Sequence, residues 1–236
     1  MYDFSIILPT YNEKNNIISL INEIIDLYSN EKEKFEILVI DDDSPDKTFN
    51  IVKSTYKKFS YVKCYKRVKN KGLGNSIGFG LKKALGKHLI VMDTDLTHDP
   101  LLIKSLIYIN KVYHLVSCSR YCCGGSMENK KHLLGSYIYN LILRIILKTQ
   151  IQDNLGGYFS IRKEVLKSLP LDKIFYGYGE YFFRLLHFAQ KKGYSIVEIP
   201  AFYKNRIDGT SKSKFFSMFF SYFLSAIKLR FRKINQ

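Results

Sequence analysis

The chain has 236 residues, 46% of them hydrophobic, and a formal net charge of +16 at pH 7. That length supplies one large domain or two small ones with a sizeable core, and the charge points to an anionic partner: nucleic acid, a phosphorylated substrate or a membrane surface. No stretch reaches the roughly 20 apolar residues of a membrane span, and Cys64, Cys118, Cys122 and Cys123 match no zinc spacing, so both classes are excluded.

The cysteines are read as reduced thiols, and no secretory leader is expected because Asp3 interrupts the first apolar run; a cytoplasmic protein follows as the expectation. Residues 4–8 (FSIIL), closed by Pro9, suit a buried strand. From 14 to 28 apolar residues recur at helical spacing, through Ile17, Ile18, Leu20, Ile21, Ile24 and Ile25. Residues 35–40 (FEILVI) form a second strand that runs into Asp41-Asp42-Asp43, and Ser44-Pro45-Asp46 reads as a turn before a helix with Ile51 and Val52. A third strand is predicted at 61–65, a glycine-led helix at 72–86 and a fourth strand at 88–92. Asp99-Pro100 opens another helix, and a fifth strand covers 115–118. Strand and helix therefore alternate, which predicts an α/β fold with a mostly parallel sheet flanked by helices.

In such sheets ligands bind beyond the carboxyl ends of the strands. Three polar clusters fall there: Thr10–Glu13, Asp41–Asp43 and Asp93–Asp95. Asp93 and Asp95 stand at i and i+2, so in an extended segment both carboxylates share a face. Two like charges so close repel, and a hard divalent cation such as Mg2+ or Mn2+ neutralises them. An Asp pair is also common in solvated turns; three polar clusters on one sheet edge favour a functional site. His98 reads as a turn residue rather than a ligand. Gly72-Leu73-Gly74 lacks the third glycine of a dinucleotide fingerprint.

The second half begins with a long apolar helix at 131–148, followed by a tight, irregular segment at 156–160. Residues 179–192 are helical, with Glu180 and Arg184 spaced to pair, and 195–199 form a short strand. Residues 215–230 (FFSMFFSYFLSAIKLR) span about 24 Å as a helix, short of a roughly 30 Å hydrocarbon core. With basic residues at both ends the segment suits a helix lying in a membrane interface, or a surface that docks a small membrane subunit. Residues 1–212 then form the main domain and 213–236 an amphipathic helix with a basic tail.

Seven motifs occur in order: PTYNE from Pro9, DDDSPDKT from Asp41, KGLG from Lys71, MDTDLTHDP from Met92, SRYCCGG from Ser119, DNLGGYFSIRKEVL from Asp153, and the R-IDG-TSK segment from Arg206. Over residues 4–212 they resemble an inverting family 2 glycosyltransferase of the GT-A fold, within the dolichyl-phosphate mannose synthase group. The resemblance implies that Pro9, Tyr11, Glu13, Ile40, Asp42, Asp93, Thr94, Asp95, Arg206 and Lys212 bind the nucleotide sugar. It implies that Asp93, Asp95 and Thr97 serve a metal, and that Arg120, His132, Ser136 and Arg206 meet the acceptor phosphate, with Asp93, Asp95 and Arg120 catalytic. A phosphate acceptor is already anionic near pH 7 and needs no general base; it needs positive charge.

The chain departs from the family pattern in three places: Thr97 stands where Gln or Ser is common, His132 where an Arg often precedes the helix carrying Ser136 and Asn140, and Gly156 where a Ser is usual. The expectation is hexose transfer from GDP-mannose to dolichyl or another polyprenyl phosphate at the cytoplasmic membrane face, with no nucleic-acid partner. The alternatives are a UDP-sugar-dependent transferase of the same fold and a non-catalytic sugar-nucleotide-binding subunit.

Overall fold

The computed structural model describes residues 2–29, 31–205 and 215–231, with side chains from 220 onward in the last segment. Along the chain run β1 (Phe4–Thr10), α1 (Ile17–Tyr28), β2 (Phe35–Asp41), α2 (Thr48–Thr55), β3 (Val62–Lys66), α3 (Leu73–Lys83), β4 (His88–Val91), α4 (Leu102–Asn110) and β5 (Leu115–Ser119). Then come β6 (Ser126–Met127), α5 (Lys130–Leu147), β7 (Phe159–Arg162), α6 (Lys163–Lys167), α7 (Leu171–Ile174), α8 (Glu180–Lys191), β8 (Ile196–Pro200), β9 (Phe202–Tyr203) and α9 (Phe215–Phe231).

The expected alternation is present. Among the described residues the main sheet has seven strands in the order β3-β2-β1-β4-β7-β5-β8, and β6 pairs with β9 in a small second sheet. All pairs in the main sheet are parallel except those of β7, which runs antiparallel between β4 and β5. Here the structure corrects the sequence reading, which took 156–160 as irregular and gave 160–162 no strand. The four-residue run FSIR is too short to show a period; its strand state comes from pairing on both edges, Phe159 with Val91 on one side and with Ser117 on the other.

Side chains alternate across β1, so Ile7 faces one core layer while Ile6 and Leu8 face the other, all three fully buried. Ile7 shares its core layer with Ile77 and Leu81 of α3 and with Phe182 and Leu185 of α8. Ile6 and Leu8 share theirs with Leu20 and Ile24 of α1 and with Ile103 and Leu106 of α4. Both faces of the sheet are thus covered, as parallel sheets require.

Two further expectations change. The α3 helix stops at Lys83 rather than running to 86, because Ala84 turns to extended backbone (φ −62°, ψ 139°). Gly86 then sits against β1, where a Cβ would meet the Phe4 carbonyl carbon at 2.5 Å. Arg184 does not pair with Glu180: its Nε donates to the Ile174 carbonyl at 2.9 Å, its Nη2 donates to the Tyr176 carbonyl, and its guanidinium lies 3.7 Å from the Tyr176 ring centroid. It ties α8 to the chain after α7.

The C-terminal helix is not a separate appendage. Tyr222, Ala226 and Leu229 of α9 are buried in the same core layer as α5 and α8. None of the described helices is long and apolar enough to cross a membrane.

Candidate active site

Strand register brings the polar clusters together. Thr10 of β1 is opposite Asp41 of β2, and Ile7 is opposite Val91 of β4, so the segments after β1, β2 and β4 emerge side by side. Cross-loop bonds hold them: the Asp42 N–H donates to the Thr10 carbonyl at 3.1 Å, and Thr94 Oγ1 donates to the Pro9 carbonyl at 3.2 Å. Five non-glycine residues with positive φ lie in the loops of this edge: Asn12, Asp43, Lys47, Asn70 and Leu96. Asn and Asp adopt that conformation readily; Leu96, at φ 62° between Asp95 and Thr97, does not, at a cost of about 1–3 kcal/mol. Such strain persists only where surrounding bonds over-determine the loop.

Two cavities open on this edge, of about 390 Å³ and 420 Å³. The first is lined by Pro9, Tyr11, Glu13, Asp42, Lys71 and Thr94 among others, and the second by Arg120, Asn129, His132, Ser136, Lys204 and Tyr222 among others. Leu73, Asp93, Asp95 and Tyr178 line both. The aspartate pair therefore stands at the junction. Asp93 has a half-exposed carboxylate, while Asp95 is buried and its Oδ1 accepts from Thr97 Oγ1 at 2.7 Å and from the Thr97 N–H at 3.2 Å.

Asp42 lines the first cavity, yet its carboxylate is already bonded within the protein. Oδ1 accepts from Arg67 Nη1 at 2.6 Å and Ser76 Oγ at 2.8 Å, and Oδ2 accepts from the Gly72 N–H at 2.6 Å. Arg67, which the sequence reading passed over, is buried and also donates to the Asn70 carbonyl. The carboxylate thus shapes the Lys71–Leu73 wall as well as facing the cavity. Ile40 is displaced from its expected role: its side chain is fully buried in the core beside Gly80, and it lines neither cavity.

Arg120 lines the second cavity, in a state its motif does not announce. Nε and Nη2 each donate to Asp153 at 2.7 Å, and the guanidinium lies 5.2 Å from the ring centroids of both Tyr121 and Tyr203. Burial works against its charge, but the Asp153 carboxylate more than offsets that and raises its pKa, so Arg120 stays cationic. Paired in this way it presents little net charge at a distance. Asp153 belongs to the sixth sequence motif, and nothing local marks it as the partner of a residue 33 positions earlier.

His132 and Ser136 enter the second cavity from α5, whose first turn is capped by Asn129 Oδ1 accepting the His132 N–H at 3.0 Å. The positive end of this helix and the exposed Lys130 and Lys131 add to the local potential. Lys204, another residue absent from the sequence-based set, lines the same cavity. Asn140 braces the wall by accepting the Asn154 N–H at 2.7 Å and donating to the Ser136 carbonyl at 2.9 Å. Arg206 and Lys212 lie outside the described residues. His98 lies in the loop after β4, as expected, and its ring is buried and stacked on Tyr158.

Residues 5–169 match the glycosyl transferase family 2 domain. The chain is 35% identical over 218 residues to the dolichol-phosphate mannosyltransferase of Pyrococcus furiosus, a match covering 89% of this chain and 59% of that relative, so the chain spans under two thirds of its length. It is 30% identical over 215 residues to the undecaprenyl-phosphate mannosyltransferase of Micrococcus luteus, covering 87% of this chain and 85% of the relative. Among solved structures, glucosyl-3-phosphoglycerate synthase from Mycobacterium tuberculosis, in complex with Mn2+ and UDP, superposes with a TM-score of 0.72 at 20% identity over 97% of this chain and 80% of that one. That likeness shows a shared GT-A architecture. The motif order, the sheet-edge site and these matches agree, and the chain belongs to glycosyl transferase family 2.

Proposed function

We propose that this chain transfers a hexose, with inversion, from a nucleoside-diphosphate sugar to a polyprenyl phosphate at the cytoplasmic face of a membrane. GDP-mannose and dolichyl phosphate are the favoured substrates, since two relatives are named as polyprenyl-phosphate mannosyltransferases. The observation that carries this reading is the junction: Asp93 and Asp95 line both cavities, so one carboxylate pair meets a donor on one side and an acceptor on the other.

The residues fit a divalent cation. Two carboxylates and the Thr97 hydroxyl are too few for a closed cage, and no group of three or more His, Cys, Asp or Glu residues forms one among the described residues. Asp93, Asp95 and Thr97 would hold Mg2+ or Mn2+ as a partial shell of hard oxygen ligands, as such ions accept. Bound there, the cation would offset the charge that builds on the departing diphosphate.

The chain's own groups divide the remaining work. Pro9, Tyr11, Glu13 and Thr94 shape the nucleotide side. Lys204 and the first turn of α5 supply positive potential on the acceptor side, where His132 also lines the cavity, and Arg206 and Lys212 would extend it. Among the described residues the carboxylates on the second cavity are Asp93 and Asp95 themselves, and an anionic phosphate acceptor needs no general base.

Membrane association rests on the outer faces of α5 and α9. Leu134, Ile138, Leu141 and Ile145 form an exposed stripe on α5, and Phe220, Leu224 and Phe231 are exposed on α9. The two helices pack together, and Lys130, Lys131, Lys228 and Arg230 flank the apolar residues. Such a surface suits a bilayer interface with anionic headgroups, or a small membrane subunit.

The test is nucleoside diphosphate release from GDP-mannose with polyprenyl phosphate and Mn2+, by the wild type and by Asp95→Ala. Release by the wild type and its abolition in folded Asp95→Ala supports an enzyme. A wild type silent with GDP- and UDP-sugars alike supports the non-catalytic sugar-nucleotide-binding subunit instead.

A further inference from the structure

We propose that His98 is a positioning residue that orients Asp93 for the divalent cation. The inference rests on the reading of Asp93 and Asp95 as a cation site and goes beyond it, to what aims the first of those carboxylates.

His98 is 2% exposed although it lies in a loop bearing two aspartates. Its ring is clamped on two sides. Tyr158 stacks on it at 4.7 Å between centroids and 11° between planes, and Tyr203 meets it edge-on at 4.7 Å and 66°. The clamp is itself anchored, since the Tyr158 hydroxyl donates to the Asp99 carbonyl at 2.9 Å and the Tyr203 hydroxyl to the Gly156 carbonyl at 3.4 Å. The imidazole therefore has one orientation.

In that orientation both ring nitrogens address one residue. Nδ1 lies 3.0 Å from the Asp93 backbone nitrogen. A backbone N–H only donates, so Nδ1 accepts, and the neutral ring carries its proton on Nε2. Nε2 lies 3.8 Å from Asp93 Oδ2, longer than a hydrogen bond but close enough for the N–H dipole to bias where the carboxylate points. One rigid ring thus fixes the backbone of Asp93 and faces its side chain. Asp95 is served by a different neighbour, Thr97, which donates to it twice. Each carboxylate has its own orienting residue within a loop that Leu96 holds in a left-handed turn.

Groups that orient metal-binding carboxylates change metal affinity by about 10–100-fold when removed. The competing role for His98 is aromatic filling between Tyr158 and Tyr203, which needs a ring but no nitrogen. His98→Phe separates the two, because it keeps the stack and removes both nitrogens.

The experiment is a titration of the full chain, stripped with EDTA and dialysed, with Mn2+ alone, following loss of the aqueous Mn2+ electron paramagnetic resonance signal. His98→Phe is expected to weaken Mn2+ binding by about 10–100-fold while its melting temperature in EDTA stays near that of the wild type. His98→Gln, whose amide offers both an acceptor and an N–H, is expected to recover most of that loss. Mn2+ affinity in His98→Phe within about twofold of the wild type would overturn the inference, since the expected effect is about tenfold or more. If His98→Phe fails to fold, His98→Leu, which also removes both nitrogens, carries the same test: about tenfold weaker binding supports the role and unchanged binding overturns it. A wild type that binds no Mn2+ removes the cation site itself and the inference with it; a wild type that binds, beside unaffected variants, overturns the inference alone.

Discussion

Arg120 and Asp153 form a bidentate pair inside the wall of the second cavity, each bond 2.7 Å long, with Asp153 fully buried and Arg120 nearly so. Removing one partner of such a pair strands a buried charge, at a cost of about 3–5 kcal/mol. Asp153→Asn is therefore expected to lower the melting temperature by roughly 6–20 °C, at about 2–4 °C per kcal/mol for a chain of this size. Differential scanning fluorimetry reads this directly. An unchanged melting temperature would mean that the guanidinium finds its compensation elsewhere.

His187 gives a pH dependence with a definite sign. Burial first, then the charges of Lys191 and Arg230, push its imidazole down to about 4, and Nε2 has no hydrogen-bond partner among the described residues. The unfolded chain binds this proton near pH 6.5 and the folded chain only near 4, so the unfolded state gains protons first as pH falls. The contribution of His187 is fully present above about 6.5 and is lost progressively down to about 4. In melts at pH 7 and pH 5, the wild type is expected to lose more stability than His187→Phe. Equal losses would show that the imidazole does not titrate in this window.

Membrane association is best probed by substitution, because deleting residues 215–236 would also remove Tyr222, Ala226 and Leu229 from the core. Ile138→Glu and Ile145→Glu on α5, and Leu224→Glu on α9, change exposed positions. Each replaces a side chain whose burial in a bilayer is worth about 1.5–3 kcal/mol, so recovery with anionic liposomes in flotation should fall by at least about tenfold. Their melting temperatures should not move. Undiminished flotation would place the membrane contact on another surface.

Two glycines are expected to respond oppositely to alanine. At Gly74 a Cβ would lie 2.7 Å from the Tyr176 carbonyl oxygen, which presses α3 against the segment before Tyr178. Gly74→Ala should cost about 1–3 kcal/mol and weaken nucleotide binding through the shared Leu73–Tyr178 wall. At Gly135, within α5, nothing lies within 4 Å, and Gly135→Ala should stabilise the protein by up to about 1 kcal/mol. Thermal melts of both variants check the contrast.

The parts of this fold legible in the sequence are those with local causes. The apolar run at β1 and the helical spacing of α1 announce themselves, and the polar residues after β1, β2 and β4 mark the sheet edge where both cavities open. What stayed hidden depends on distant partners. β7 is a strand because Val91 and Ser117 flank Phe159, and nothing within its four residues says so. Asp42 was visible as an acidic strand end, but its bonds to Arg67, Gly72 and Ser76 span 25 or more residues. Glu180 and Arg184 have the spacing of a helical pair, yet the carbonyls of Ile174 and Tyr176 take the guanidinium, while the Glu180 carboxylate accepts from the Tyr178 N–H at 3.0 Å.

In the proposed reaction Asp93 and Asp95 join a nucleotide-sugar cavity to a polyprenyl-phosphate cavity. The most direct measurement is mass spectrometry of the lipid extracted after incubating the protein with Mn2+ or Mg2+, a polyprenyl phosphate and an equal mixture of GDP-mannose, UDP-glucose and UDP-N-acetylglucosamine. The expected product is a hexosyl-phosphate lipid with release of GDP, absent in Asp95→Ala. The absence of any glycosylated lipid, from protein shown to be folded and bound to liposomes, would contradict it.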